Sequence, residues 1–283
     1  RRAAPRWRAC FFSRRATAAA VPPSGAHPAR SPNVVLDPIG TLLEWLILFA
    51  AGAVRGFSGF GSAMVAVTGL SLLRSPAEVV PAVLLLELVA ALHLLPRVWR
   101  VVDWRSLLPL LLGSAAGTLP GASLLAWAPA AVLRLWVSVL VCAAAALLAL
   151  GWQTNRQTGM GATFLTGVAS GVLNASAAIG GPPVILYYLG SQPAAEVSRA
   201  SLIAFFLFAD VFSLAGAYGA GLLHRATVVE ALLWLVPTWV GVLLGHRVFT
   251  HCGGAQRYRT VVPVLLLLLG LAGLLRAVLE LLG

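Results

Sequence analysis

Lysine is missing from this chain, and charge of either sign is rare: only 10% of its 283 residues are charged. A soluble domain carries about 25%. Apolar residues make up 59%, and they fall into successive runs long enough to span a bilayer, which takes roughly 20 residues each. These features exclude a soluble globular domain. Cysteine is scarce too. Cys10, Cys142 and Cys252 share no spacing, so neither a disulfide framework nor a metal site is expected. Cys142, within Val-Cys-Ala-Ala-Ala-Ala, reads as a small buried hydrophobe. There is no Walker motif, and no cofactor is expected. No acid precedes Asp37, whereas Arg1, Arg2, Arg6, Arg8, Arg14, Arg15 and Arg30 do, and they supply most of the formal net charge of +11. No basic patch alternates with aromatics on a folded element, so this charge does not point to nucleic acid. The expected partners are the lipid bilayer and a small solute.

What is present is a pattern written twice. Phe49-Ala50-Ala51-Gly52-Ala53-Val54-Arg55-Gly56 is echoed by Phe164-Leu165-Thr166-Gly167-Val168-Ala169-Ser170-Gly171. Downstream, Ser75-Pro76-Ala77-Glu78 returns as Gln192-Pro193-Ala194-Ala195-Glu196, and Gly117-x-x-x-Gly121 returns as Gly241-x-x-x-Gly245. A duplicated apolar half with a Gly-rich break near its start is typical of secondary transporters. The expected fold is all-α: a polytopic membrane protein of about eight transmembrane helices in two homologous halves, each opening with a broken, Gly-rich helix. Residues 1–38 read as a disordered, Arg-rich tail, 39–151 as the first repeat, 152–162 as a linker and 163–283 as the second repeat. This architecture is compatible with a homo-oligomer. If the tail is inside, the positive-inside rule also places Arg97, Arg100 and Arg105 inside, but Arg247, Arg257 and Arg259 then fall outside. The conflict goes away if the two broken stretches are re-entrant, because each half then crosses an odd number of times and the halves run inverted.

Two stretches carry the candidate substrate site. The first is Arg55-Gly56-Phe57-Ser58-Gly59-Phe60-Gly61-Ser62. An arginine inside an apolar span costs at least about 2.5 kcal/mol on insertion scales and must face protein, water or an anion. The glycines Gly56, Gly59 and Gly61 permit an unwound backbone whose free N–H groups bind an anion beside it, with Ser58 as a further donor. Two other roles compete for Arg55: snorkelling to the interface and pairing with Glu87. The second stretch is Asn174-Ala175-Ser176-Ala177-Ala178-Ile179-Gly180-Gly181-Pro182-Pro183. Proline lacks an N–H and clashes with the preceding turn, so Gly180, Gly181 and Pro182 break the helix. In lipid such a break survives only within protein or beside a watery cavity. Asn174 and Ser176 are donors there; a kink with a packing role alone is the plain alternative. Glu87 and Asp210 lie deep in spans and are candidates for ion or proton coupling. The two Gly-x-x-x-Gly pairs read as close helix-packing surfaces. Gly56-Phe57-Ser58-Gly59 has the shape found around an intramembrane protease nucleophile. A nucleophile needs a base in reach, and only His93 lies nearby, so no enzyme activity and no catalytic residue is expected.

These residues resemble the sulfite exporter TauE/SafE family of anion permeases, over about residues 40–282. The resemblance rests on Gly56-Phe57-Ser58-Gly59-Phe60-Gly61, on Gly171 through Gly180-Gly181-Pro182-Pro183, and on Glu196 followed by Arg199. One departure is Val67-Thr68-Gly69-Leu70, where family members often carry a proline. The resemblance implies a multi-pass transporter of the cell inner membrane that exports small sulfur-containing oxyanions such as sulfite or organosulfonates. Two other readings stand beside it. One is an uptake carrier for small carboxylate or sulfur anions coupled to protons; the other is a membrane protein that assembles or anchors others without transport.

Overall fold

The computed structural model describes residues 38–58, 61–150, 159–191, 195–251 and 254–282. The Arg-rich tail up to residue 37 and residues 152–158 of the expected linker lie outside this set. Among the described residues the fold is all-helical. The helices are α1 (Pro38–Ser58), α2 (Ser62–Ser71), α3 (Pro76–Val98), α4 (Trp104–Trp127), α5 (Ala130–Leu150), α6 (Met160–Ala177), α7 (Gly181–Ser191), α8 (Ala195–Gly219), α9 (Arg225–His251) and α10 (Gly254–Leu282), with a short 3-10 turn at Trp99–Val101. Five of the described helical segments are long and apolar enough to cross a membrane: Pro38–Gly56, Pro76–Pro96, Trp104–Trp127, Glu196–Gly219 and Arg225–Gly245.

The distribution of polarity is the reverse of a water-soluble protein's. Leu112, Leu119, Leu232, Leu243 and Leu268 point outward, each more than half exposed, while Ser114, Ser170, Asn174, Ser201 and Asp210 are buried. An apolar exterior of this extent needs a lipid partner. The chain is therefore a polytopic, all-α membrane protein.

Local sequence sets the helix ends. Asp103 caps α4, its carboxylate accepting from the backbone N–H of Arg105 at 3.2 Å and of Ser106 at 3.5 Å, which satisfies donors that have no partner within the helix. Pro76 sits in the first turn of α3, where its missing N–H costs nothing. Helix α6 ends at Ala178, which adopts left-handed φ 53°; the Ala178 N–H bonds the Asn174 carbonyl at 2.8 Å and the Ile179 N–H bonds the Leu173 carbonyl at 3.3 Å, a Schellman-type stop.

The two broken stretches are helical hairpins. In the first, α2 turns back along α1: Gly61 adjoins Val54 and Gly69 adjoins Ile47, and Arg74, just past α2, pairs with Glu44 near the start of α1 at 2.9 Å. In the second, α7 turns back along α6: Ser170 bonds the Gly180 carbonyl, and Thr163 bonds the Tyr187 hydroxyl at 3.5 Å. The hairpins enter from opposite ends of the bundle. The open end of α1–α2 belongs to an ionic end, where Arg74 also meets Glu230 near the start of α9 at 3.1 Å. There Arg134 of α5 donates to the Ser71 carbonyl at 2.8 Å and pairs with Glu280 near the end of α10. The open end of α6–α7 belongs to the other end, where the Asp103 N–H donates to Ser201 at 3.0 Å and Ser106 meets the Tyr188 hydroxyl at 3.2 Å.

Helices from the two sides of the linker interlock. Helix α1 packs on α9, α4 on α6, α5 on α10 and α3 on α8. The α4–α6 and α1–α9 contacts are made by glycine: a Cβ on Gly117 would strike the Val168 carbonyl, and one on Gly245 the Ala53 carbonyl. Both Gly-x-x-x-Gly pairs thus bring helix backbones into contact. The buried core has two parts. One is built on Leu48, Val67, Leu70, Leu84 and Leu133, the other on Leu107, Leu110, Val184 and Phe205.

Candidate functional site

Hydrogen-bonding groups that no apolar span satisfies on its own converge where the hairpin tips meet the middle of α3 and α8. Arg55 lies one turn before the end of α1. Its Nη1 donates to the Ser62 hydroxyl at 3.0 Å and to the Glu87 carboxylate. Ser62, the first residue of α2, in turn donates to the other Glu87 oxygen at 2.5 Å. Gly61 makes this contact possible: it caps α2 with φ 88°, a left-handed conformation that is costly for any residue with a Cβ. The α2 N-terminus therefore carries its free backbone N–H groups and the positive end of its dipole into the middle of the fold, beside Arg55.

Arg55, Ser62 and Glu87 line a cavity of about 120 Å³. Leu48, Ala51, Ala66 and Val83, all nearly inaccessible, form its closed end. Val89, His93 and Trp239 are exposed at its mouth, further along α3 and α9 away from the ionic end. His93 stacks edge-on against Trp239, ring centres 5.8 Å apart. For scale, a void of about 150 Å³ accommodates a benzene ring.

The second hairpin builds a closed polar cluster. Asn174 Nδ2 donates to Asp210 at 2.9 Å and to Ser213 at 3.1 Å, while its Oδ1 accepts the Gly180 N–H at 3.3 Å. All three side chains are buried. Asp210 Oδ2 has no hydrogen-bond partner. Because α8 packs on α3, the two clusters lie on adjacent helices. Gly180 cannot carry a side chain, since a Cβ would lie 2.8 Å from Asn174 Cβ and 3.0 Å from the Ser170 carbonyl. Pro182 and Pro183 occupy the first turn of α7, and with Gly181 they start a new helix rather than bend an old one.

The expected site residues thus divide into groups. Arg55 and Glu87 meet at the cavity, with Gly61 shaping the turn beside them; Asn174, Gly180 and Asp210 meet in the closed cluster. Gly56 lies within α1, half-buried. Ser176 belongs to neither group: its hydroxyl donates to the Val172 carbonyl at 2.6 Å and accepts from Trp136 Nε1 at 3.0 Å, which ties α6 to α5. Ser58 ends α1, but its side chain lies outside the described residues, as does Gly59 altogether. Ser62 closes the first candidate stretch but was given no role there, and Ser213 was not expected. The signal for Ser62 is its place directly after Gly61, at the first turn of a helix; that for Ser213 is its spacing of three from Asp210, on the same helix face.

The profile of the sulfite exporter TauE/SafE family matches residues 45–273. A protein of Cupriavidus necator described as a probable sulfite/organosulfonate exporter TauE is 27% identical over 215 residues, covering 73% of this chain and 83% of that protein. No solved structure matches the chain.

Proposed function

Because the chain belongs to the sulfite exporter TauE/SafE family of membrane transporters, we propose that it carries small sulfur-containing oxyanions, sulfite or an organosulfonate, outward across the inner membrane. The observation that carries this reading is the Arg55 guanidinium in the wall of a small cavity, at the N-terminus of a half-length helix. Discontinuous helices whose N-termini face anionic groups near the midplane are a recurring transporter site. The cavity has room for a sulfonate or sulfite and little more.

The same helix order on either side of the linker, with hairpins entering from opposite ends, supports reading 39–151 and 163–283 as inverted repeats. In that reading α1–α2 and α6–α7 are re-entrant, and α3, α4, α5, α8, α9 and α10 cross. Arg97, Arg100, Arg105, Arg199, Arg247, Arg257 and Arg259 then lie at one end, against Arg74, Arg134, Arg225 and Arg276 at the ionic end. Of the tail arginines only Arg30 falls within the roughly 15–20 residues of a span over which the positive-inside rule operates. The arginine-rich end is therefore the cytoplasmic one. The cavity mouth at His93 and Trp239 lies on that side of Arg55, and ion pairs bind the far end together. That is the arrangement an exporter needs when it loads substrate from the cytoplasm.

The test is flux in sealed vesicles of defined orientation with sulfite, thiosulfate, sulfoacetate, taurine and small carboxylates. Saturable movement of the sulfur oxyanions is expected. Movement of carboxylates alone, or of none of these, overturns the assignment.

A further inference from the structure

In this structure one nitrogen of the Arg55 guanidinium is already held by a carboxylate. Its Nη1 donates to Glu87 and to Ser62, and Ser62 donates to Glu87 in turn. The two oxygens of one carboxylate thus engage the guanidinium and the hydroxyl as a bound oxyanion does. Glu87 itself lines the cavity. An arriving anion meets the Glu87 charge at the same guanidinium, and two anions on one guanidinium in an apolar surround repel each other strongly.

We propose that Glu87 is the resident anion of the substrate site: an oxyanion reaches Arg55 and Ser62 only when Glu87 has taken up a proton, and the carrier moves one proton with each anion. The inference rests on the reading of this cavity as the anion site. The bookkeeping is simple. In the empty carrier Arg55 and Glu87 cancel. In the loaded carrier the anion cancels Arg55, and Glu87 is neutral. The proton reaches a Glu87 oxygen from water on the side where substrate loads, stays there during the passage, and returns to water on the other side when Glu87 re-pairs with Arg55. No bond other than O–H forms or breaks. Protonation also turns Glu87 from an acceptor into a donor, so it can hold the anion that replaces it.

The groups around Glu87 are compatible with this. Arg55 faces it from α1 and Ser62 from α2, and the buried Asp210 lies on α8, which packs against α3. On α9 the cavity residues Thr238 and Trp239 are neutral, and on α3 itself His93 stands at the mouth. Helix α4 carries a charge only at Arg105, in its first turn, and α6 carries none. On α5 Arg134 is engaged by Glu280, and Cys142 lies against Gly270 of α10. Export under this scheme is driven by the outward gradient of the anion itself, and an acidic exterior opposes it.

The test uses the full-length chain in proteoliposomes with a pH-sensitive dye inside. The probe is methanesulfonate, which stays ionised across the pH range used, so any proton counted moves with the protein. The expected result is one proton per anion in the wild type, with a pH step of about one unit sustaining roughly a tenfold anion gradient. In Glu87→Gln, which cannot ionise, any anion that moves should move without a proton, and the pH-driven gradient should be lost. Anion flux in the wild type with no accompanying protons overturns the inference and leaves the substrate reading standing. A wild type that moves neither methanesulfonate nor sulfite overturns both. The proton count in the wild type decides the matter even if Glu87→Gln does not fold.

Discussion

Arg55 is tolerable within an apolar helix only through its partners. An uncompensated arginine at the centre of a span costs at least about 2.5 kcal/mol; here Glu87 balances its charge, and Glu87 and Ser62 accept from its Nη1. Removing one member of this partly buried pair strands the other, at less than the roughly 3–5 kcal/mol typical of a fully buried one. Arg55→Gln should therefore lower the yield of folded protein, and Arg55→Gln combined with Glu87→Gln should restore it, as read by size-exclusion profiles in detergent. Substrate affinity should not return with it. Hydrogen bonds to charged groups are worth about 1.5–3 kcal/mol, so the half-saturating sulfite concentration should rise at least about tenfold in the double variant. Arg55→Lys keeps the charge without the planar fork and should fall between. Equal affinity in the wild type and all three variants would remove Arg55 from the site. From sequence, three roles for Arg55 were open: holding an anion, snorkelling and pairing with Glu87. The pairing seen here is one of them, and it is also what makes a competing anion role testable.

At the scale of the element, the informative units are the two hairpins. The breaks themselves were legible, since Gly61 and the Gly180-Gly181-Pro182-Pro183 run cannot continue a helix. The direction of the chain after each break was not legible, because a kinked helix that goes on and a hairpin that returns use the same breakers. The return of α2 is decided by contacts at a distance, Gly69 on Ile47 and Arg74 on Glu44. It makes a clear prediction. With the native cysteines removed, Ile39→Cys and Leu73→Cys, both at exposed positions, should react with a membrane-impermeant thiol reagent from the same side. Labelling from opposite sides would mean that α1 and α2 together cross the membrane.

For the whole molecule, the matter is orientation. With both hairpins re-entrant, the arginine conflict met when the spans are counted straight through is removed, because Arg247, Arg257 and Arg259 come to the same end as Arg97, Arg100 and Arg105. In the proposed arrangement the positive-inside rule puts that end in the cytoplasm. Arg100→Cys should be labelled only when reagent reaches the cytoplasmic face, and His224→Cys, in the turn between α8 and α9, only from outside; both positions are exposed. The reverse pattern would turn the cavity mouth outward, and with it the direction in which substrate loads.

Composition and local pattern were sufficient for a helical, membrane-embedded chain with two broken stretches and glycine-lined packing faces. Helix propensity, apolar span length and the action of Gly and Pro depend on neighbours within a few residues. The polar contacts that make a site depend on no such neighbourhood. Arg55 finds Glu87 32 positions away, Asn174 finds Asp210 36 away, and Arg74 finds Glu230 156 away. Only the packing of α1 on α2 and α9, of α2 and α9 on α3, and of α6 on α8 decides which polar group meets which. A buried side chain is satisfied by whatever the fold sets within hydrogen-bond reach, and that choice has no trace in local sequence.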